Sequence, residues 1–503
     1  MSMRMARLAQ RANPRAYGQA PEGQSIPIPA PSLGMNTRDG VSSLDPREAR
    51  SIRNMIAENG RLIIRRGKTS HQTISGATSI GSLFTHEGTS QDVLLAFAAG
   101  KIYDATGTPS QLATGYSLNT WSIAQFNDTA LGVNGTDVPW AFDGSTIGAS
   151  GLSGSGLTIA NLRTVRVVGV RLWFTEEGSA DVWYGDPAAV TGVLTKFQLS
   201  QETKGGYCVG VYPFGPYTVF IMSTGEIVTY TGDPGTDFAL NKSYDAPRPV
   251  GYDCGVDVQG ELVLMTTAGA LPFEAIATGV SFDTTALNYW GKIAPSWADD
   301  FVTYGANAGW SATFFTGLVI FNIQTDTDAS KQWIYNIRTK AWSFFDGLNG
   351  YQFAELGGAL YFGAKDSNTI WKYMGGTDNG SSIVGTVRHG FTYPFANQVN
   401  GQFTAARING QATGLVTGQI QVDTDYSEQG ITAAEFPLST AGSGPWGQPW
   451  GSPWGVNGTP LLKWSGVKGF GRAVAPVTQF NSQADDFQFF AVDVIGTPAG
   501  VVG

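Results

Sequence analysis

The feature that most constrains this sequence is a turn that keeps returning. Ile102-Tyr103-Asp104, Trp140-Ala141-Phe142-Asp143-Gly144, Val182-Trp183-Tyr184-Gly185-Asp186 and Tyr230-Thr231-Gly232-Asp233 each place an aromatic just before an Asp or Gly turn. Asp104, Asp143, Asp186 and Asp233 stand roughly 40 to 47 residues apart, the span of one four-stranded sheet in a radial array. A lone four-stranded sheet cannot bury both of its faces. Stacking such sheets around an axis buries both, with the aromatics packed between neighbours. The pattern continues weakly over 255–276, then over 314–347 with Trp333 and Trp342, and over 351–376 with Trp371 and Tyr373.

This period predicts an all-β chain with a β-propeller at its centre; unrelated hairpins in a β-sandwich would carry the turns without the spacing. Composition agrees. Gly is 66 of 503 residues and charged residues are only 14 %, which fits many tight turns. Aromatics at 12 % give sheets large side chains to bury and argue against disorder. At this length one core does not suffice, so more than one domain is expected. The net charge of −9 is unlike that of a protein with a basic, nucleic-acid-binding surface. Cys208 and Cys254 read as buried free thiols, and no apolar run approaches the ~20 residues of a membrane helix.

In chain order, Arg4, Arg7, Arg11 and Arg15 stand without a nearby acid, as in a transit peptide, but Pro14 and the Pro-rich run to Pro31 read as an extended arm over 1–45. No apolar stretch of the secretory-leader kind follows the arginines. Asp45-Pro46 offers a helix cap and first turn, and Ala49, Ile52, Arg53 and Ile56 repeat at helical spacing, predicting a short helix from Pro46 to about Ile56. Gly60 ends it, and Leu62, Ile63 and Ile64 read as a strand joining the propeller. The propeller is assigned to 46–376, with an insertion near 278–309 where the period slips and where partners would be met. Tyr335-Asn336-Ile337-Arg338-Thr339-Lys340-Ala341-Trp342 resembles a kelch-type hairpin, whose last Trp packs against the next blade. Beyond it, 377–503 alternates apolar and polar residues in the manner of a β-sandwich-like domain. It carries a Pro-Trp-Gly repeat at Trp446, Trp450 and Trp454, which either folds over its own domain or meets another chain.

Chemistry is hard to find. His71, His86 and His389 have no metal-ligand spacing and read as surface or turn residues. Asp326-Thr327-Asp328 begins like a calcium loop but has Lys331 where Gly is needed and Ile337 where Glu is needed, so it reads as a hairpin tip. Glu176-Glu177 is a paired carboxylate of the kind glycosidases use, read as a solvated pair. No catalytic, cofactor or metal residues are assigned, and the chain is not read as an enzyme. The basic run Arg47, Arg50, Arg53, Arg61, Arg65, Arg66 and Lys68 reverses the local sign of an acidic protein. Arg47, Arg50, Arg53, Arg65 and Arg66, with Trp446, Trp450 and Trp454, are the candidate assembly contacts; few aromatics interleave the run, which weakens a nucleic-acid reading.

Pro31-Ser32-Leu33-Gly34-Met35-Asn36-Thr37-Arg38-Asp39, Leu44-Asp45-Pro46-Arg47-Glu48-Ala49, Asn54-Met55-Ile56 and Arg65-Arg66-Gly67-Lys68 resemble the opening of tail nozzle (tail tube or hub) proteins of short-tailed bacteriophages. Gly100-Lys101-Ile102-Tyr103-Asp104, the Pro-Trp-Gly repeat and Phe490-Ala491-Val492-Asp493-Val494 extend the resemblance over most of the chain. The resemblance implies a structural virion protein in the tail, assembled in the host bacterial cytoplasm. It implies a ring, usually of six copies, below portal and adaptor, that closes the channel and then passes DNA without sequence-specific binding. The tail adaptor, and a tail fibre or tailspike, would be its partners. The alternative reading is a carbohydrate-binding or glycan-cleaving propeller in receptor recognition, resting on the aromatics and Glu176-Glu177.

Overall fold

In a computed structural model of the chain, which describes residues 23–278, 290–395, 399–439 and 459–501, the recurring turns close a succession of small sheets. These occupy 82–114, 122–149, 162–197, 208–245, 255–272, 311–345 and 350–373, and within each the strands pair antiparallel in chain order. The fold is all-β. Two of the turns are held by the Asp chemistry that local sequence favours. Asp143 accepts the backbone N–H groups of Ser145 and Thr146 at 2.9 and 2.7 Å, and Asp104 accepts that of Thr106 at 2.9 Å.

The sheets bury their faces against one another. Phe97, Trp121 and Trp140 lie between the first and second, and Leu131, Leu162 and Phe174 between the second and third. Trp173 and Phe220 join the third to the fourth, and Ile221, Leu264 and Phe273 the fourth to the fifth. Met265, Trp297 and Phe321 join the fifth to the sixth, and Ile320, Leu360 and Phe362 the sixth to the seventh. Leu94, Tyr361 and Ile370 then join the seventh to the first, so the circuit of cores closes on itself. Each buried Trp or Phe contributes on the order of 4 kcal/mol of transfer free energy before chain entropy is counted.

Three sheets depart from the repeat. The third gains a fifth strand, Leu152–Gly154, parallel to Gly192–Phe197. The fifth has three strands, and its last, Gly269–Pro272, is covered by the helix Ala294–Tyr304, whose Trp297 donates Nε1–H to Thr266 O at 2.9 Å. The described part of the 278–309 insertion thus packs through Ile293 and Trp297 into the core between the fifth and sixth sheets. The seventh sheet takes its fourth strand from Lys68–Thr73, which pairs with Thr369–Tyr373.

The remaining strands form two sheets facing each other over one core. One holds Gln24–Pro29, Met55–Glu58, Arg61–Ile64, Val399–Ala412, Thr459–Leu461, Trp464–Gly471 and the long Phe487–Val501. The other holds Ala49–Arg53, Ser381–His389, Val416–Thr424, Phe436–Ser439 and Val474–Ser482, and runs on into the sixth sheet where Arg53 pairs with Phe344 and into the seventh through Thr377–Asp378. Ile52, Val387, Ile420 and Phe480 meet Ile64, Phe403, Ile408 and Phe489 between them.

Several expectations are corrected. No helix forms over 46–56: Ala49–Arg53 and Met55–Glu58 are strands, and Ile52 pairs with Val387. The Asp45-Pro46 signal makes one turn only, with Glu48 N bonded to Asp45 O at 2.8 Å. The helical spacing is an accident of two short strands separated by Asn54, whose positive φ of 55° breaks their alternation. Leu62 and Ile63 do not join the circuit of sheets; they pair with Phe489 and Gln488. Residues 24–64 thus lie with the strands of 381–501, not with the sheets that follow them. The hairpin at 335–342 forms, with Tyr335 opposite Trp342, but Trp342 packs towards the fifth sheet and Met35, not the seventh. His86 and His389 are fully buried, not surface residues. Both cysteines are buried and free.

Candidate functional site

Residues 31–68 form the joint between the circuit of seven sheets and the two-sheet unit. Met35 N and Asn54 N donate to Trp342 O and Phe344 O, both at 2.8 Å, tying the segment to the last strand of the sixth sheet. Gly34 makes this approach possible. Its φ is +84°, and a Cβ there would lie 2.6 Å from Trp342 N. Thr37 and Arg38 donate backbone N–H to Lys292 O at 2.8 and 3.0 Å, which brings in the segment leading to the helix.

Polar side chains lock the joint at two points. Near its start, Glu48 accepts from Asn36 Nδ2 at 3.0 Å and pairs with Lys292 Nζ at 2.8 Å. At its end, Arg65 is 1 % exposed. Its Nε donates to Asn54 Oδ1 at 2.9 Å, Nη1 to Asp378 Oδ1 at 2.9 Å, and Nη2 to Asp378 Oδ2 at 2.7 Å and Asp346 O at 3.1 Å. Asn54 Nδ2 reaches Asp346 Oδ1 at 2.8 Å, and Arg53 Nε reaches Asp346 Oδ2 at 2.6 Å. A planar guanidinium with fixed donors suits such a many-armed buried node. Lys68 sits beside it on Gly347 O at 2.9 Å, and burial pushes its ammonium pKa down.

The candidate assembly arginines therefore divide. Arg50 is buried, donating Nε to His389 O at 2.8 Å and Nη2 to Asp423 at 3.0 Å, with Glu428 on Nη1 and Phe391 4.6 Å beneath. Arg50 and Arg65 are internal fixtures of the fold and present no guanidinium to a neighbour, a correction to their reading as contacts. Arg53 is half-exposed on Asp346. Arg47 is exposed, with Nη2 on Asp45 at 3.0 Å, and that guanidinium holds the Asp45 carboxyl below its ordinary pKa. Arg66 is exposed, and among the described residues its guanidinium has no acidic partner. Trp446, Trp450 and Trp454 lie outside the described residues.

The other sequence candidates are structural. Glu176 accepts the Trp183 indole N–H at 3.0 Å; Glu177 pairs with Arg163 at 3.2 Å and accepts from Tyr252 Oη at 3.1 Å. Asp326 caps its own turn through Thr327 N at 2.7 Å. Among the described residues no cluster of three or more metal-type ligands forms. No helix there is long and apolar enough to cross a membrane. Sequence reasoning passed over the cations on and flanking the strand Trp464–Gly471: Lys463, Lys468 and Arg472 are exposed and make no ion pair among the described residues. The signal was present: no acid occurs between Thr459 and Ala484.

No protein-family model matches the sequence, and no curated protein matches it. Among solved structures the chain is similar to one described as "Crystal Structure of Mitotic Checkpoint Complex", at 11 % identity and a TM-score of 0.38, over 62 % of this chain and 95 % of that one. So loose an overlap carries no statement about function.

Proposed function

We propose that this chain is a structural virion protein that forms the tail nozzle of a short-tailed phage. It assembles as a ring of copies, with the tail adaptor above and fibre or tailspike proteins as further partners. The ring closes and later opens the DNA exit channel. The same reading takes the seven sheets as the blades of a β-propeller and the two facing sheets as a β-sandwich-like domain. Support for the propeller comes from the closed circuit of seven inter-sheet cores.

One observation carries the functional reading. The residues behind the resemblance to nozzle proteins, including Gly34, Asn36, Glu48, Asn54 and Arg65, are those that hold the joint together. They are architectural residues, as a structural role requires. The glycan-cleaving alternative draws no support from Glu176 and Glu177, whose carboxylates are engaged by Trp183, Arg163 and Tyr252. Electron microscopy and mass measurement of the purified chain test the proposal. A ring with an axial hole and a mass near six times 53.4 kDa is expected; monomers under every assembly condition, including with adaptor present, overturn it.

A further inference from the structure

We infer that the outward side of the strand Trp464–Gly471, with its two flanks, binds single-stranded nucleic acid. Phosphates would lie on Lys463, Lys468 and Arg472, and bases on Trp464 and Phe470.

The charge pattern comes first. The chain carries −9 overall, yet 459–484 holds these three cations and no acid. Elsewhere most arginines are tied to carboxylates, as Arg50, Arg53, Arg65, Arg171 and Arg407 are. Lys463, Lys468 and Arg472 have no such partner among the described residues. Asp425, beside Arg472, is engaged by the backbone, its Oδ1 accepting Arg472 N at 2.8 Å and Ala473 N at 3.0 Å. Lys463 Nζ stands over the Phe436 ring at 5.7 Å, a cation–π contact that brings no carboxylate to it. Exposed cations without carboxylates are what a phosphodiester chain neutralises when it displaces its counterions.

The aromatics come second, and they set this strand apart from the N-terminal basic run. Trp464 lies opposite Arg407 and Phe470 opposite Gln402, on the sheet side that faces away from the shared core. They are 39 % and 59 % exposed and lie at the two ends of one strand, an uncommon position for two such rings. Arg407 lies over the Trp464 ring at 4.7 Å and is itself held by Asp493 at 2.6 Å, so the indole is braced while it stays in solvent. Exposed aromatic rings set among cations that no carboxylate engages are the arrangement on which unpaired bases stack. Duplex DNA hides its base faces in the helix stack, so the aromatics favour a single strand. An acidic protein surface would satisfy the cations and leave the rings without a specific partner.

The test uses the full-length chain and fluorescein-labelled oligothymidylate, read by fluorescence anisotropy over a salt series, with a duplex of equal length alongside. Single strands are expected to bind more tightly than duplex at low salt. The variant K463Q/K468Q/R472Q is expected to flatten the slope of log affinity against log salt by about 2, three contacts at ~0.7 each. W464A/F470A is expected to lose about tenfold or more for the single strand while keeping the wild-type salt slope. Unchanged melting of each variant establishes that the fold is retained. No binding by the wild type, or wild-type binding by either folded variant, overturns the inference. So does a triple variant that changes oligomeric mass and leaves DNA affinity alone, which would make the strand a contact between copies. The inference does not need the ring: a monomer that binds the oligonucleotide sustains it, and a ring that does not bind removes it alone.

Discussion

Arg65 and Asp378 meet in a two-point ion pair at 2.9 and 2.7 Å, across the junction between the two parts of the molecule. Arg65 follows the strand Arg61–Ile64 of one unit, and Asp378 ends the strand Thr377–Asp378, which bridges Lys68 of the seventh sheet and Ser381–His389 of the two-sheet unit. Removing one partner leaves the other charge buried. Arg65→Met is therefore expected to destabilise the protein by about 3–5 kcal/mol in denaturant unfolding. Arg66→Ala, one residue on and exposed, is expected to stay within about 0.5 kcal/mol. Equal effects from the two would show that the node is not what joins the units.

Gly34 is the next point of failure. Gly34→Ala places a methyl 2.6 Å from Trp342 N at a backbone angle of +84°. Strain and clash together predict a loss of about 2 kcal/mol or more. Limited proteolysis is expected to cut the variant within 31–47 well before the wild type, because the bond from Met35 N to Trp342 O is lost with the approach.

His389 predicts a pH dependence. It is fully buried, neither ring nitrogen has a hydrogen-bond partner among the described residues, and burial beside Arg50 pulls its pKa down to about 3. The folded state thus binds the proton less readily than the unfolded chain, whose His titrates near the ordinary 6.5. Stability is full above that value and falls as pH drops from about 6.5 towards 3, at up to ~1.4 kcal/mol per unit. His389→Phe is expected to flatten the stability profile over that window. An unchanged slope, measured by urea unfolding at several pH values, would assign the dependence to other groups.

Glu177→Gln removes one half-exposed pairing with Arg163, so its cost is expected below about 1 kcal/mol. Neither Glu176→Gln nor Glu177→Gln is expected to alter glycan binding. Loss of sugar release or of glycan-array signal in either variant would revive the receptor-recognition reading.

How much of this was legible depended on how local the cause was. The turns at Asp104 and Asp143 were readable because Asx bonding is decided within three residues. The 335–342 hairpin was readable for the same reason. The segment 46–56 was misread as helix because Ala49–Arg53 is paired with Ser381–His389, more than 300 residues away, and Met55–Glu58 with the strand Arg61–Ile64, itself read correctly as a strand but completed by the equally remote Phe489. Asp45-Pro46 supplied a helix start, and nothing local announced the positive φ at Asn54 that turns the pattern into two strands. Arg50 and Arg65 looked like surface cations because their carboxylates, Asp423 and Asp378, are equally remote in sequence. The cation and aromatic pattern at 463–472 was visible in the letters, but its exposure was not.

The pairing of Gln24 with Gly496 also has a consequence in time. During synthesis at roughly 5 to 20 residues per second, the first strand waits about 25 to 95 s for its partner to leave the ribosome. Lys68–Thr73 waits likewise for Thr369–Tyr373. For that interval the nascent chain carries unpaired edges with Ile26, Ile28, Leu62 and Ile64 uncovered. Its yield in the cell is expected to be governed by holdase capacity and elongation rate as much as by the stability of the finished molecule.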